Sequence, residues 1–573
     1  MNKKDLALLV VLISLVLMWP LIGPMLEQQF FPRPAVEPVP EEAAPTSEKS
    51  TTIELGELTS LRSPSPIPAE PSATVADPTV IPETTAILSN DVVSITLSSR
   101  GGTVKSVTLN LYRTTLAEDS DIIELDFANR LALAYTGLDG FGEANHFTLD
   151  VSSDARTATM ESRDRRGISL VRNLELKSGY RIKVTDTFIN ESDQPMILPP
   201  HGIQVGMMES DPGKKVKGGV YYLGVDALLL GGKGVTHYGK KTMPKALKGS
   251  GLTHLEQRSG EPVDWLAVKN RFFVQILTPE DGADDASWYA ERMNAKSKQL
   301  QAVAGALRFS NIDIQSEVPL VRESTFYVGP KEYSEINQYG RHQWRIMEFG
   351  MFAPICKFLL WVLNFIHDML WPHNYGVAII LLTVIIRVLF WPITHKGTES
   401  MRRMQDIQPL MKDIREKHKD NPQKQQQAML QLYKEHKVNP IGGCLPMLIQ
   451  LPVFFALFVV LRSAIELRFA SFLWISDLSE PENLLSGVLP FGLKLNILPI
   501  VMAVTMVWQQ KLTPTTADPR QAKIMQIMPV MMLFIFYPFA LGLVLYWTIS
   551  QCLMILQQLL YQKRKERKTA VTP

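Results

Sequence analysis

Cysteine is scarce in this chain of 573 residues. The three cysteines, Cys356, Cys444 and Cys552, are too few and too far apart for a disulfide framework or a cysteine-based zinc site. An excess of one charge is also lacking, since 59 Lys and Arg residues face 57 Asp and Glu residues, giving a formal net charge of +2. This balance excludes a strongly basic nucleic-acid binder, and we expect no recognition of a specific nucleic-acid sequence.

Signature motifs of common hydrolases are missing as well. The sequence contains neither the H-E-x-x-H pattern of zinc proteases nor the G-x-S-x-G elbow of serine hydrolases. We therefore expect no enzymatic activity, no bound metal and no cofactor.

Long apolar runs are confined to particular parts of the chain, although the mean hydropathy is only +0.02. Residues 1–26 contain an apolar run behind Lys3 and Lys4. We interpret this run as a retained transmembrane anchor; a cleaved signal peptide is the alternative, but no small-residue cleavage site follows. Residues 27–85 are rich in Pro, Glu, Ala, Ser and Thr and predict an extended, proline-rich linker.

Short alternating patterns fill residues 86–343. Val107, Leu109 and Leu111 alternate with polar residues after a Gly-Gly turn, and Ile182 and Val184 do the same after a Ser-Gly turn. Many short strands and few helical windows predict a large all-β sandwich domain, although a barrel fits the same pattern.

The remainder of the chain predicts membrane-associated helices. Residues 344–374 have one apolar face opposite Lys357, Asn364 and Asp368, which favours an amphipathic helix in the membrane interface over a span. The further predicted segments are a second transmembrane helix at 375–395, a helical hairpin at 396–440, transmembrane helices 3–6 with short loops at 441–561, and a basic tail at 562–573. The predicted fold class is thus multidomain, with an α-helical polytopic membrane bundle and a large all-β sandwich.

The distribution of charge predicts the topology. The hairpin from Lys396 to Lys437 carries ten basic and six acidic residues, and the tail is also basic. The positive-inside rule places both in the cytoplasm, and six spans then place the N-terminus there too. We therefore expect a multi-pass protein of the bacterial inner membrane with cytoplasmic termini and a periplasmic β domain.

Arg387 is the most informative residue of the predicted spans. It lies within the apolar run Val377–Trp391, where a lipid-facing guanidinium costs about 2–3 kcal/mol, and the predicted spans contain no Asp or Glu to pair with it. It either extends its side chain to the headgroups or faces a wet cavity that receives a passing anionic group. Polar residues of the spans that could line such a cavity are Thr383, Gln450, Gln526, Ser550 and Gln551.

An apolar seam runs along the predicted hairpin at spacings of three and four residues. The seam consists of Met401, Met404, Ile407, Met411 and Ile414. It fits a solvated pair of packed helices and, equally, a mobile methionine-rich surface for hydrophobic segments of other proteins.

Four motifs carry a resemblance to a known family. They are Asn439-Pro-Ile-Gly-Gly-Cys-Leu-Pro446, Glu466-Leu-Arg468, Thr513-Pro-Thr-Thr516 and Gly542-Leu-Val-Leu-Tyr-Trp547. With these motifs and its order of spans, the chain resembles the YidC family of membrane protein insertases, in the long form that carries a large periplasmic domain. For that domain the resemblance implies a β-supersandwich.

The resemblance also implies a function and a site. The function is to insert and help fold integral membrane proteins, independently of the Sec translocon and together with it, through a hydrophilic groove in which Arg387 receives polar parts of the client protein. The other client-contacting positions that it implies are Thr383, Phe454, Met502, Tyr546 and Trp547.

Several partners and alternatives remain open at this stage. Nascent membrane proteins, the Sec translocon and the lipid bilayer are expected partners, and the basic tail and hairpin are suited to a ribosome or to lipid headgroups. A transporter or flippase for small amphiphiles would also use a wet arginine-lined cavity. A membrane-anchored carbohydrate enzyme or lectin would use the sandwich.

Overall fold

A computed structural model describes most of the chain after residue 81. The described residues are 82–117, 119–209, 223–230, 234–239, 243, 253–292, 300–436, 438, 445–484, 494–512 and 519–571. The predicted anchor, nearly all of the predicted linker, and the side chains of Met401 and of most of the basic tail lie outside this description.

Twenty strands are described between residues 85 and 330. They are β1 Thr85–Ser89, β2 Val93–Ser98, β3 Thr103–Arg113, β4 Ile122–Asp126, β5 Tyr135–Thr136, β6 Thr148–Val151, β7 Thr157–Arg163, β8 Ile168–Leu176, β9 Arg181–Asn190, β10 Met196–Leu198, β11 His201–Glu209, β12 Gly224–Leu229, β13 Val235–Tyr238, β14 His254–Arg258, β15 Val263–Lys269, β16 Phe273–Pro279, β17 Asp285–Arg292, β18 Leu300–Phe309, β19 Ile312–Ile314 and β20 Leu320–Pro330.

The strands form a sandwich of antiparallel sheets. A nine-stranded sheet has the order β13-β12-β15-β16-β20-β9-β8-β7-β6, and its strands β12, β15 and β16 pack against a five-stranded sheet of order β14-β17-β18-β11-β5. A third sheet has the order β1-β2-β3-β4, and β10 pairs with β19. The predicted fold class, an all-β sandwich joined to a helical bundle, is therefore confirmed.

The predicted strand alternation holds where a strand covers the core. Every second residue of β9 is buried, including Ile182 and Val184. In β3, Val107 and Leu109 are fully buried, whereas Leu111 is exposed, which contradicts its predicted inward position. The reason is an irregularity in the β3–β4 pairing between Leu109 and Arg113, which breaks the two-residue period.

A buried ion pair links two neighbouring strands of the nine-stranded sheet. Arg172 of β8 donates two hydrogen bonds to the carboxylate of Asp186 on β9, at 2.7 and 2.8 Å, and Tyr135 donates a third to the same carboxylate at 2.7 Å. The guanidinium also donates to the carbonyls of Gly102 and Leu133, both at 2.7 Å. The guanidinium and the carboxylate, both buried, are thus multiply hydrogen-bonded, which offsets much of the cost of removing them from water.

The helices follow the sandwich. They are α1 Tyr333–Asn337, α2 Ala353–Met369, α3 Tyr375–Asp406, α4 Gln408–Lys417, α5 Pro422–Glu435, α6 Leu445–Ser463, α7 Ile497–Leu512, α8 Pro519–Phe536 and α9 Leu541–Val571. By length and composition, Gly350–Met369, Tyr375–His395 and Leu541–Lys563 could cross a membrane, and the shorter apolar segments are Gln450–Ser463, Ile497–Leu512 and Met525–Phe536.

Helix α2, the predicted interfacial helix, is apolar on two sides. Its inner side, including Leu359 and Leu363, packs against the bundle, whereas Trp361 and Phe365 are exposed on the other. Lys357 was predicted on an exposed polar face but is buried, and this expectation is wrong. Its ammonium lies 3.3 Å from the centroid of the Trp344 ring, and this cation–π contact favours a position inside the protein.

The predicted hairpin consists of α4 and α5, which pack against each other. Helix α4 begins after Ile407, so that Pro409 lies in its first turn, where a proline is well tolerated. Ile407 and Met411 are buried against Leu432, and Met404 and Ile414 flank this small core. The described part of the predicted seam therefore stabilises the hairpin itself.

The β domain is fixed to the bundle through Arg271, in the turn between β15 and β16. Its guanidinium donates to the carbonyl of Arg462 in the last turn of α6 at 3.0 Å and to the carbonyl of Ser479 at 2.7 Å, and it forms an ion pair with Glu480. A cation at this position also complements the partial negative charge at the helix C-terminus. The turn thus anchors the domain to one end of α6.

We predict that Asp186→Ala lowers the stability of the β domain by about 3–5 kcal/mol, because it leaves the buried Arg172 without its counter-ion. Denaturant unfolding of the full chain in detergent, followed through the β-sheet signal, would measure this. The control is Glu323→Ala, which removes an ion pair to Lys183 whose side chains are 42% and 43% exposed and should change stability by less than about 1 kcal/mol. Equal effects of the two substitutions would contradict the prediction.

Candidate functional site

Arg387 lies on the inner side of α3, facing α9. Its Nε donates a hydrogen bond to the hydroxyl of Ser550 at 3.1 Å, and one of its terminal nitrogens donates to the same oxygen. Gln450 of α6 donates to Ser550 at 3.3 Å and to the hydroxyl of Tyr546 at 3.4 Å. Three helices thus supply one polar cluster inside an otherwise apolar bundle.

The cluster lines a narrow pocket. The lining residues are Thr383, Ile386, Arg387, Phe390, Thr394, Gln450, Tyr546 and Ser550. Thr383, Tyr546 and Ser550 are almost fully buried, and the free space between the side chains is large enough for about one water molecule. A client group that enters this pocket must therefore widen it.

No carboxylate neutralises Arg387 in the part of the chain that the structure describes. Its hydrogen-bond acceptor there is a serine hydroxyl, and no ion pair includes it. Ser550 accepts from Arg387 and Gln450 together, so a single neutral oxygen serves two donors. The site is therefore a cation with spare donor capacity, which suits it to an anionic or strongly polar partner.

Two predicted site residues belong to an aromatic cluster beside the pocket. The rings of Phe454 on α6 and Trp547 on α9 meet edge to face with centroids 5.1 Å apart, and Phe536 of α8 packs 5.4 Å from Trp547. The indole nitrogen of Trp547 is buried and has no hydrogen-bond partner among the described residues. Phe454 and Trp547 thus join the pocket to α8 through apolar contacts.

The remaining predicted residues lie outside the pocket. Met502 of α7 is fully buried, and the side-chain oxygen of Gln551 is buried without a partner in the described chain. The structure also adds lining residues that the sequence reasoning missed, namely Ile386, Phe390 and Thr394. Phe390 and Thr394 follow Arg387 by three and seven residues, so helical periodicity counted forward from Arg387 would have found them.

A second cluster of charged residues lies in the β domain. Asp226, His237 and Glu348 bring potential metal ligands within 4.8 Å of one another. The buried ammonium of Lys269 lies among them, forming ion pairs with both carboxylates and donating to the carbonyl of Ile346 at 3.1 Å. Because Lys269 already supplies the positive charge, a metal ion would have to displace it.

Two family models match the chain over adjoining segments. The model described as the YidC periplasmic domain matches residues 86–362, and the model described as the 60Kd inner membrane protein matches residues 365–568. Together these segments include nearly all of the described residues.

Curated relatives match this chain over about half to nearly all of their own length. The membrane protein insertase YidC of Pelobacter propionicus is 33% identical over 81% of this chain and 84% of its own. That of Maridesulfovibrio salexigens is 29% identical over 93% of this chain and 95% of its own. That of Syntrophobacter fumaroxidans is 42% identical, but the match spans 52% of this chain and about half, 53%, of that protein. A crystal structure of an active YidC insertase is 18% identical, covering 84% of this chain and 94% of its own with a TM-score of 0.33.

We predict that Ser550→Ala destabilises the helical bundle by about 1–3 kcal/mol, because it leaves buried donors of Arg387 and Gln450 without an acceptor. Thermal unfolding of the purified protein in detergent would measure the change. The matched control is Thr548→Ala on the same helix, since the hydroxyl of Thr548 donates to the carbonyl of Val544 one turn earlier and not to another helix in the described chain. Similar stability of the Ser550 variant and the wild type would show that the Arg387 contact contributes nothing.

Proposed function

The chain belongs to the YidC family of membrane protein insertases, and from this premise we propose that it inserts client helices through the pocket around Arg387, both independently of the Sec translocon and together with it. The family is not enzymatic, and its relatives place the chain in the inner membrane with a periplasmic β domain. What we propose is the role of the Arg387 pocket and the partners with which the chain works.

One observation carries the proposal: within the described part of the bundle, Arg387 is held by a neutral hydroxyl and not by a carboxylate. A carboxylate of the protein in a permanent ion pair with Arg387 would occupy the guanidinium, and an anionic group of the client could not readily replace it. An acidic or polar segment of the client gains a charge-assisted hydrogen bond when it takes the place of Ser550 or shares the guanidinium with it. The contact is temporary, since Ser550 restores the resting arrangement when the client leaves.

The driving force comes from the client and the membrane. Moving an apolar client helix into lipid is favoured by the hydrophobic effect. The membrane potential adds about 2.3 kcal/mol per elementary charge per 100 mV for charged segments. The pocket then only needs to lower the barrier for the polar segment that must cross ahead of the helix, and no ATP chemistry is required.

The short lengths of α7 and α8 support the proposed role in insertion. Helix α7 has 16 residues, or about 24 Å, which is less than the hydrocarbon thickness of about 30 Å. Helix α8 has 18 residues, or about 27 Å, and is also shorter than this thickness. Helices of this length thin the adjacent bilayer, and a thinner bilayer presents a lower barrier to a polar segment.

The hairpin and the basic tail have a proposed role on the cytoplasmic side of the membrane. We assign both, with the N-terminus, to the cytoplasm on the basis of their positive charge. A nascent chain leaving the ribosome would meet the packed hairpin first, and the tail would hold ribosomal RNA or lipid headgroups. The Phe454–Trp547 cluster would accept the apolar part of the client as it moves past the pocket.

We predict that Arg387→Ala lowers the insertion rate of clients with acidic outer segments about tenfold or more, because a charge-assisted hydrogen bond of about 1.5–3 kcal/mol is lost. Arg387→Lys retains most of the activity. Insertion into reconstituted vesicles measures both. Arg403→Ala is the control, since Arg403 lies on the same helix but is exposed and paired with Glu399. Undiminished insertion of acidic clients by the alanine variant would refute the role of the pocket.

We predict that Met411→Asp abolishes insertion while the membrane helices stay folded, because it places a charge in the small core of the hairpin. Limited proteolysis would report the unfolded hairpin, and the insertion assay its consequence. Leu410→Asp is the matched control, because Leu410 precedes Met411 but is exposed. Full activity with a proteolysed hairpin would show that the hairpin is dispensable.

A further inference from the structure

An apolar groove, which we call the α7–α8 groove, runs between these two helices. The residues that line it are Ile500, Ala503, Val504, Val507, Trp508 and Lys511 of α7 and Pro529, Val530 and Leu533 of α8. The groove has a volume of about 440 Å³, and the side chains of Val504 and Val530 on its walls are exposed. It shares no lining residue with the Arg387 pocket, so it is a separate feature of the bundle.

The length of the α7–α8 groove matches one leaflet of a membrane. Ile500 and Lys511 lie eleven residues apart on α7, which corresponds to about 17 Å along the helix. One leaflet of a hydrocarbon core about 30 Å thick measures about 15 Å. A transmembrane helix of a client would need a surface about twice as long, so the groove is better matched to the acyl chain of a lipid.

The character of the groove changes at its Lys511 end. The other lining residues are apolar or aromatic, whereas Lys511 is an exposed cation that forms no ion pair among the described residues. Trp508, about one turn earlier on the same helix, is 52% exposed, and tryptophan favours the boundary between hydrocarbon and headgroups. Apolar, aromatic and cationic side chains thus follow one another in the order of the acyl chain, the glycerol region and the phosphate of a phospholipid.

The sequence around Lys511 adds positive charge at the same end of the groove. The segment from Lys511 to Lys523, which leads from α7 into α8, contains three basic residues and one acidic residue. A positively charged segment beside the end of a membrane helix attracts anionic lipids. A zwitterionic headgroup carries its own cation, which weakens this attraction, so the charge of the segment distinguishes the two classes of phospholipid.

We propose that the α7–α8 groove binds a phospholipid of net negative charge. One acyl chain lies against Val504, Val507 and Val530, and the phosphate pairs with Lys511. Under the topology proposed above, this lipid belongs to the cytoplasmic leaflet. The lipid site does not depend on the role of the Arg387 pocket, and it makes the packing of α7 and α8 sensitive to the lipid composition of the membrane.

Quenching of tryptophan fluorescence by brominated lipids tests the site, because bromine atoms on an acyl chain quench the tryptophans that they contact. The full-length protein is reconstituted into phosphatidylcholine vesicles that contain a rising fraction of brominated phosphatidylglycerol or brominated phosphatidylcholine. The contribution of Trp508 is the difference between the wild type and Trp508→Phe. We expect the anionic lipid to quench this contribution at a fraction about fivefold lower than the zwitterionic lipid, which is the effect of one basic group beside an anionic lipid.

Substitutions of Lys511 test the proposed pairing with the phosphate. Lys511→Gln should remove the preference for the anionic lipid, and Lys511→Arg should keep it. Lys494→Gln is the matched control, because Lys494 is also exposed but lies before the opposite end of α7, and it should leave the preference unchanged. An equal response of the wild type to both lipids, or a preference that survives in Lys511→Gln, would overturn the proposal.

A substitution inside the groove separates binding there from general attraction to the protein surface. Ala503 is the smallest lining residue, so Ala503→Phe fills the groove and leaves the charge of Lys511 in place. Quenching of Trp508 by the anionic lipid should then weaken. Unchanged quenching would show that Lys511 attracts lipid without a chain in the groove, and an absence of quenching by either lipid in the wild type would show that protein covers the groove. Both results would contradict the proposal.

Discussion

The desolvation of a single guanidinium constrains the whole helical bundle. Arg387 lies among apolar helices, and the described chain offers it a serine hydroxyl and no carboxylate. For this arrangement to be stable, α3, α6 and α9 must keep Arg387, Gln450 and Ser550 in register, because a shift of one turn would leave the guanidinium against lipid or aliphatic side chains. The aromatic contacts between Phe454, Phe536 and Trp547 hold α6, α8 and α9 together from the apolar side.

Buried charges in the β domain form ion pairs, in contrast to Arg387 in the bundle. Arg172 and Asp186 satisfy each other so fully that they have little capacity for a partner, and Lys269 forms ion pairs with the carboxylates of both Asp226 and Glu348. Such closed networks favour one packing arrangement. A partner from outside finds more unused donors at Arg387, where a serine hydroxyl is the hydrogen-bond acceptor among the described residues.

Periodic features can be predicted from the sequence, whereas contacts between residues that are distant in the sequence cannot. Alternation predicted the strands around Ile182 and Val184, and the isolated charge in an apolar run identified Arg387, because both signals are local. Burial of Lys357 depends on Trp344, and exposure of Leu111 depends on how β3 pairs with β4, so neither could be read from spacing alone. Gln450, Tyr546 and Ser550 were each singled out, but only the fold shows that they share one hydrogen-bonded cluster, and that Met502 and Gln551 lie apart from it.

Helix α6 connects two of these features mechanically. One end is fixed to the β domain through the hydrogen bonds from Arg271 to Arg462 and Ser479, and Gln450 near the other end contributes to the Arg387 pocket. The helical segment between them is about 18 Å long and contains Pro452 close to Gln450, so one backbone hydrogen bond is missing there and the helix can bend. A small tilt of the outer domain would be transmitted along α6 as far as this bend, and the stiffness of the helix at Pro452 would set how far Gln450 moves and how much the width of the pocket changes.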